Sequence, residues 1–297
     1  MSESPGAGNW FRRFRPAPQA PVRLVCLPHG GGSAGFFLPV AHALAPAVDV
    51  LAAQYPGRQD RRGEEPVADL QVLADRITAA LAPYRDRPLA LFGHSMGATL
   101  GFEVARRLEA AGEVPAVLFA SGRPAPSIPF EGGLGAAGDE RLLAEMDALG
   151  GTDAALLRDP DLLAMVLPAL RADYRAVETY AYRPGPALTC PVVALTGDRD
   201  PVADVEGVLA WEEHTTGPFT AEVFPGGHFF VTDHAEEVLA TVVAHLGPAP
   251  RITAGQALGP GPRPGSRRTV FTRPATARPA AATPPPVAAA TPPPRTA

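Results

Sequence analysis

From Val22 to Leu246, short β-branched runs alternate with stretches of helical periodicity, and this alternation leaves the chain few architectures. Val22–Leu27, Val48–Ala53, Leu89–Phe92, Val117–Ala120, Val192–Thr196 and Thr220–Phe224 read as strands. Between them, Leu70, Leu73, Ile77 and Leu81 fall at helical spacing, as do Leu100, Val104 and Leu108, and Val238–Leu246 closes the body as a helix. Strands that feed helices in this order imply a mostly parallel sheet covered on both faces. One stretch breaks the rule. Residues 127–186 hold helical patterns around Glu140–Leu149, Asp161–Leu167 and Ala169–Tyr182, with no convincing strand. That is too long for a plain crossover, so it reads as a helical lid over the C-terminal edge of the sheet. The expected division is an N-terminal extension at 1–20, a core at 21–126 and 187–247, the lid at 127–186, and a tail at 248–297.

Composition changes abruptly at Pro248. The last 50 residues carry 13 Pro and 7 Arg, with TPPP twice and no Asp or Glu. Such a segment buries too little apolar surface to offset its ordering entropy, so it reads as disordered and partly polyproline. It is either a dispensable extension or a docking tail for an acidic or proline-reading partner. Without it, 19 Arg face 31 acids, a formal charge of −12 on the body against −5 for the whole chain. An acidic body argues against nucleic acid, which needs a clustered basic surface. All 26 basic residues are Arg, which a GC-biased genome explains as well as any function. Two cysteines, Cys26 and Cys190, make no disulfide framework and point to a reducing compartment, the cytoplasm. No apolar run approaches the roughly 18 residues of a membrane helix. The Arg-containing N-terminus lacks the apolar segment of a signal peptide.

Gly93-His94-Ser95-Met96-Gly97 fits G-x-S-x-G between a strand and a helix, the context of a nucleophile elbow. The sharp turn exposes the serine hydroxyl, and side chains two positions either way would collide with backbone. A serine needs an adjacent base, and the chain order for this elbow is Ser, then Asp or Glu, then His. His228, in a Gly-rich loop after the last strand, is the candidate base. His29 and His94 precede the acid, and His42, His214, His234 and His245 fall in helical stretches. The acid lies in Gly197-Asp198-Arg199-Asp200. Asp200 is favoured because Pro201 starts the next helix and stiffens the loop. Asp198 suits a turn that satisfies backbone amides. An oxyanion needs two preorganised N–H donors. One is Met96, after the nucleophile. The other is expected from His29-Gly30-Gly31-Gly32. That Gly run lacks the Lys-Ser/Thr of a phosphate loop, and no metal cluster or dinucleotide motif is visible, so no cofactor is expected.

Taken together, Leu27–Ala34 (LPHGGGSA), Gln54–Arg58 (QYPGR), Gly93–Gly97 (GHSMG), Leu170–Tyr174 (LRADY), Gly197–Pro201 (GDRDP) and Gly227–Phe229 resemble type II thioesterases. These are discrete α/β-hydrolases encoded with modular polyketide and nonribosomal peptide synthases. The resemblance spans roughly Trp10 to Leu246. GHSMG and GDRDP are shared with many esterases, whereas YPGR and LRADY are more discriminating. The resemblance implies an α/β-hydrolase fold with a Ser95-His228-Asp200 triad. It places the second oxyanion donor at Gly30, with Gly31 as the neighbouring alternative. It also implies hydrolysis of acyl thioesters on the phosphopantetheine arm of acyl or peptidyl carrier proteins, met transiently by a monomer. Chain-releasing thioesterases and carboxylesterases use the same triad and are the nearest rivals. A non-catalytic scaffold binding through the tail is the rival from another class. The apolar residues of the lid are expected in part to line an acyl channel to Ser95.

Overall fold

Runs of five or six residues, apolar on both faces, are too short for stable helices and pair as a buried sheet. The computed structural model describes residues 10–130, 132–135, 137–150, 159–246 and 268–274. Its strands are β1 (Phe11–Arg12), β2 (Arg23–Leu27), β3 (Asp49–Ala53), β4 (Leu89–His94), β5 (Val117–Ser121), β6 (Val192–Gly197), β7 (Phe219–Phe224) and β8 (Thr269–Arg273). They form one sheet in the order β1-β3-β2-β4-β5-β6-β7-β8, parallel from β3 to β7 and antiparallel at both edges. The helices are α1 (Leu38–Leu44), α2 (Leu70–Ala80), α3 (Met96–Ala110), α4 (Asp139–Leu149), α5 (Pro160–Glu178), α6 (Val205–Leu209), α7 (Phe230–Asp233) and α8 (Ala235–His245). This is the α/β-hydrolase architecture.

Alternation along each strand decides which helix covers which face. Val25 and Leu27 of β2 pack with Leu73 and Ile77 of α2 and Leu100 and Val104 of α3. Leu24 and Cys26 pack on the other face with Ala41 and Leu44 of α1 and Val238 and Val242 of α8. The parallel strands all end at one edge. Four of those ends carry the Gly-rich turns, so the fold itself gathers residues 28–32, 93–97, 197–200 and 225–228. Ligand sites of open parallel sheets lie at this carboxyl edge.

Both chain ends depart from expectation. Residues 10–20 are not a mere extension: Trp10 and Phe11 are buried, β1 pairs with β3, and Arg13 meets the buried Asp49 at 2.9 Å. A two-residue strand leaves no periodic trace in a sequence. The tail is corrected likewise. Thr269-Val270-Phe271-Thr272-Arg273 is β-branched and aromatic, and it pairs with β7 as an antiparallel edge strand. Arg268 reaches Glu222 at 3.4 Å, tying the tail to the buried carboxylate of β7. The Pro-rich average of the tail hid these five residues. Residues 247–267 and 275–297 lie outside the described residues. Within the lid, Asp161–Leu167 and Ala169–Tyr182 are not two helices: α5 runs through Pro168 to Glu178. Leu134, Leu142 and Leu170 give the lid a small core of its own. Residues 151–158, which include Leu156 and Leu157 of the lid's apolar set, lie outside the described residues. Among the described residues, no helix is long and apolar enough to cross a membrane.

Candidate active site

The sheet's central strand β4 runs straight into α3 through Ser95, whose backbone sits at φ 55° and ψ −118°. A non-glycine residue there is strained, and only surrounding structure keeps it so. Ser95 N–H donates to Ser121 O of the neighbouring strand end at 2.7 Å, and Ser95 O accepts from Ala98 N–H at 2.9 Å. The flanking glycines make the turn possible. A Cβ on Gly93 would collide with the Gly97 carbonyl, and one on Gly97 with the Leu27 carbonyl. The serine side chain is therefore lifted off the sheet edge while its neighbours are buried.

His228 follows β7 and Asp200 follows β6, adjacent strands in register. His228 Nδ1 lies 2.9 and 3.0 Å from the two carboxylate oxygens of Asp200, and both side chains are buried. Asp200 Oδ1 also accepts from Val202 and Ala203 N–H at 2.8 and 3.2 Å, so the loop fixes the carboxylate before it meets the histidine. Asp198 is exposed and accepts from Gly226 N–H at 2.8 Å. That bond ties the two loops together, and the carboxylate bonded to His228 is that of Asp200. The geometry thus separates the two aspartates as acid partner and turn lock.

Ser95, Met96, Gly30 and His228 line one cavity of about 50 Å³, with Asp200 behind His228. Of the neighbouring glycine amides, Gly31 N–H donates to Asp173 Oδ2 at 2.8 Å and Gly32 N–H to His29 O at 3.0 Å. Gly30 is the remaining amide of the run and the one at the cavity. Phe130, Leu149 and Val177 supply apolar wall. All three belong to the lid, whereas Leu162 and Met165, among its other described apolar residues, are exposed. Arg123, after β5, is buried and lines both this cavity and an adjoining one of about 630 Å³. Its guanidinium lies 4.7 Å from the Phe130 ring centroid and has no hydrogen-bond or carboxylate partner among the described residues. Burial pulls its pKa down to about 10, so it keeps its charge at neutral pH. Sequence reasoning missed Arg123, because a lone Arg in a loop gives no periodic or motif signal.

Two other histidines face His228. His94 is fully buried, with Nδ1 3.0 Å from Ser121 Oγ. His29 sits edge-on between Phe36 and Phe229 at 4.8 and 4.9 Å. Burial first, then the charges of His228 and Arg58, push His29 down to about 3. Burial, then His228 and His29, hold His94 well below its ordinary value. Both are neutral at pH 7, and His228 is the member of the cluster bonded to a carboxylate. His214 pairs with Ser127 Oγ, His245 with Thr241 O, and His42 and His234 also stand away from the cavity. The thiols of Cys26 and Cys190 are buried and pushed up, which removes them as nucleophiles.

A strained serine, a histidine held by a buried carboxylate, and two amides at one cavity form an arrangement that can serve acyl transfer. The thioesterase domain signature matches residues 22–246. Thioesterase PikA5 of Streptomyces venezuelae is 48% identical over 242 residues, covering 81% of this chain and 86% of the relative. Among solved structures, the type II thioesterase BorB from the borrelidin biosynthetic cluster is 51% identical. It superimposes with a TM-score of 0.76 over 83% of this chain and 100% of its own. The RedJ thioesterase of the prodiginine pathway in Streptomyces coelicolor is 36% identical, with a TM-score of 0.73 over 82% of this chain and 91% of its own.

Proposed function

This chain belongs to the thioesterase domain family and is a hydrolase of thioesters, and on that premise we propose that it strips acyl groups from phosphopantetheinyl carrier proteins of a polyketide or nonribosomal peptide synthase. Two similar solved structures, BorB from the borrelidin cluster and YbtT from the yersiniabactin NRPS/PKS pathway, are type II thioesterases. The acyl groups are those that stall an assembly line, and removing them lets synthesis resume. The single observation that carries the mechanism is the two-oxygen hold of Asp200 on His228 beside a strained, half-buried Ser95 that lines the cavity.

His228 takes the Ser95 hydroxyl proton as the oxygen attacks the thioester carbonyl. The carbonyl oxygen becomes an oxyanion held by Gly30 and Met96 N–H. The C–S bond breaks, the imidazolium returns its proton to the arm's sulfur, and an acyl-enzyme remains. Water then gives a proton to His228 and attacks the ester, and the carboxylic acid leaves with Ser95 regaining its proton. Asp200 holds the imidazole tautomer and stabilises the imidazolium through both steps. Arg123, between the two cavities, offers donors to the carbonyl oxygens of a long arm and its acyl group.

Intact-protein mass spectrometry of acyl-loaded carrier proteins tests this reading. The wild type should remove the acyl mass, and Ser95→Ala should slow removal by several orders of magnitude, leaving only what the oxyanion donors supply. A Ser95→Ala enzyme that keeps more than about a tenth of the rate, a loss far below the usual cost of a triad member, overturns the mechanism. Untouched carrier thioesters alongside rapid cleavage of simple oxygen esters would make the protein a carboxylesterase instead.

A further inference from the structure

The loop from Pro28 to Ala34 is held from outside at four backbone groups. Tyr55 Oη donates to Pro28 O at 3.1 Å, Arg58 Nη1 donates to Gly32 O at 3.0 Å, and Ala34 N–H donates to Gln54 Oε1 at 2.8 Å. Those three partners belong to one stretch, Gln54–Arg58, directly after β3. The fourth hold comes from the lid. Gly31 N–H donates to Asp173 Oδ2, and Asp173 lies on α5, fully buried. Asp173 also takes both arms of the Arg58 fork, at 2.7 and 2.8 Å. A bidentate pair of this kind fixes orientation as well as distance.

The backbone of Gly31 makes the contact close. Its φ is +76°, and a Cβ there would strike Leu170 Cδ1, on the same turn of α5 as Asp173. The Gly-rich loop is thus pressed against the lid helix, with one amide committed to Asp173 and the preceding amide left at the cavity. Asp173 also lines the cavity beside Ser95, but its two oxygens are taken by Gly31 N–H and the Arg58 fork, and nothing in the triad requires either residue.

We propose that Asp173 and Arg58 are positioning residues for the oxyanion site, which makes that site complete only while the lid helix is seated. This rests on the reading of Gly30 and Met96 as the donors. Asp173 fixes the Gly31 peptide, Arg58 fixes Asp173 and the Gly32 carbonyl, and together they set the direction of the Gly30 N–H. A shift of α5 separates Asp173 from both Gly31 and Arg58 at once. Hydrolysis is thereby withheld from an open enzyme and released once the lid has settled on its substrate.

The test uses the full chain and three variants: Asp173→Asn, Arg58→Met, and the double variant Arg58→Met/Asp173→Leu. Substrate is a small soluble acyl thioester. Two inhibitors report separate states, a trifluoromethyl ketone that forms a tetrahedral oxyanion on the enzyme and a thioether that mimics the unreacted substrate. All three variants should lose about tenfold to a thousandfold in kcat, up to the usual cost of one oxyanion donor, with KM little changed. The ketone should weaken by the same factor as kcat/KM, and the thioether should bind as before. The double variant removes the buried charges together, so its melting temperature should stay near wild type while its kcat stays low. It also supplies the measurement if a single variant fails to fold. A double variant with wild-type kcat, or equal weakening of ketone and thioether, overturns the proposal. An inactive Ser95→Ala beside a fully active Asp173→Asn would remove this inference alone, whereas an active Ser95→Ala would remove the reading beneath it.

Discussion

The imidazole of His94 lies 5.0 Å from that of His228, centroid to centroid, with their planes tilted by 35°. Burial first, then the neighbouring His228 and His29, keep His94 neutral. Gly122, at φ +61°, leaves the space this packing needs, because a Cβ there would press on both rings. The residue before Ser95 thus packs against His228 without bonding to it.

That neutrality makes stability depend on pH. His94 has a lowered pKa in the folded state, while in the unfolded chain it takes a proton near the ordinary value of about 6.5. Below that value the unfolded state binds more protons, so stability falls as pH falls, approaching about 1.4 kcal/mol per pH unit for this one group. Urea unfolding at pH 7, 6 and 5 should show the slope in the wild type. His94→Asn, which can keep a bond to Ser121, should flatten it by about one proton. Equal slopes in the two proteins would mean that His94 titrates normally when folded.

The two aspartates after β6 should separate in kinetics. Asp200→Asn keeps the shape but stabilises the wrong tautomer of His228, a change that costs about 10⁴ in kcat in serine enzymes of this kind. Asp198→Asn should leave kcat within a few-fold, because that side chain bonds Gly226 N–H and not His228. Its cost should appear as a lower melting temperature. Rates and melting curves for both variants decide the matter, and a reversed order would reassign the acid.

Deleting residues 248–297 removes β8 and exposes the edge of β7. Glu222, buried on β7, loses Arg268 but keeps the hydroxyl of Thr241 at 2.6 Å. Surface ion pairs and an exposed strand contribute little each, so the loss should be about 1–2 kcal/mol. That corresponds to a melting temperature lower by about 2–8 °C for a chain of this size. The bare edge should also promote association, detectable by light scattering. Turnover of a small thioester should not change, since β7 stays in register with β6 and the loop to His228 is held by Asp198. A large fall in kcat would show that β8 supports the catalytic histidine.

The elbow was legible because its chemistry is local: five residues, a strand before them and a helix after. Asp200 was legible for a similar reason, since Pro201 marks a loop whose next amides, Val202 and Ala203, cap the carboxylate. The Arg58–Asp173 pair was not. Its members are 115 residues apart, and neither interrupts a periodic pattern. Their two motifs could be noted as distinctive, but only the fold shows that they meet under the Gly-rich loop. Short edge strands failed for another reason. Phe11–Arg12 and Thr269–Arg273 are made by their partners β3 and β7, and pairing partners leave no mark in a window that short. Pro168 misled in the opposite direction, because burial of Ala169 and of Leu170, the latter in the lid's own core with Leu134 and Leu142, carries α5 past a residue that locally disfavours it.

Acyl length should be read by the cavity at Ser95. Its volume of about 50 Å³ holds roughly three to five water-sized groups at roughly 10–15 Å³ each. Acetyl and propionyl groups fit that space beside Phe130, Leu149 and Val177. A butyryl group crowds the wall, and a longer chain must move α4 or pass Arg123 into the larger cavity. One methylene in an apolar pocket is worth about 1–3 kcal/mol, so carrier-bound acetyl, propionyl and butyryl groups should turn over within about two orders of magnitude of one another. The order should be acetyl and propionyl first, then a decline with length. Leu149→Ala enlarges the wall from the lid side and should raise kcat/KM most for the longest chain tested. Val177→Trp should do the reverse, penalising butyryl before acetyl. Steady-state rates on one carrier protein loaded with acetyl through decanoyl groups measure all of this. If decanoyl were hydrolysed more than tenfold faster than acetyl by the wild type, the small cavity would not be the acyl site, and the substrate would lie in the larger cavity beyond Arg123.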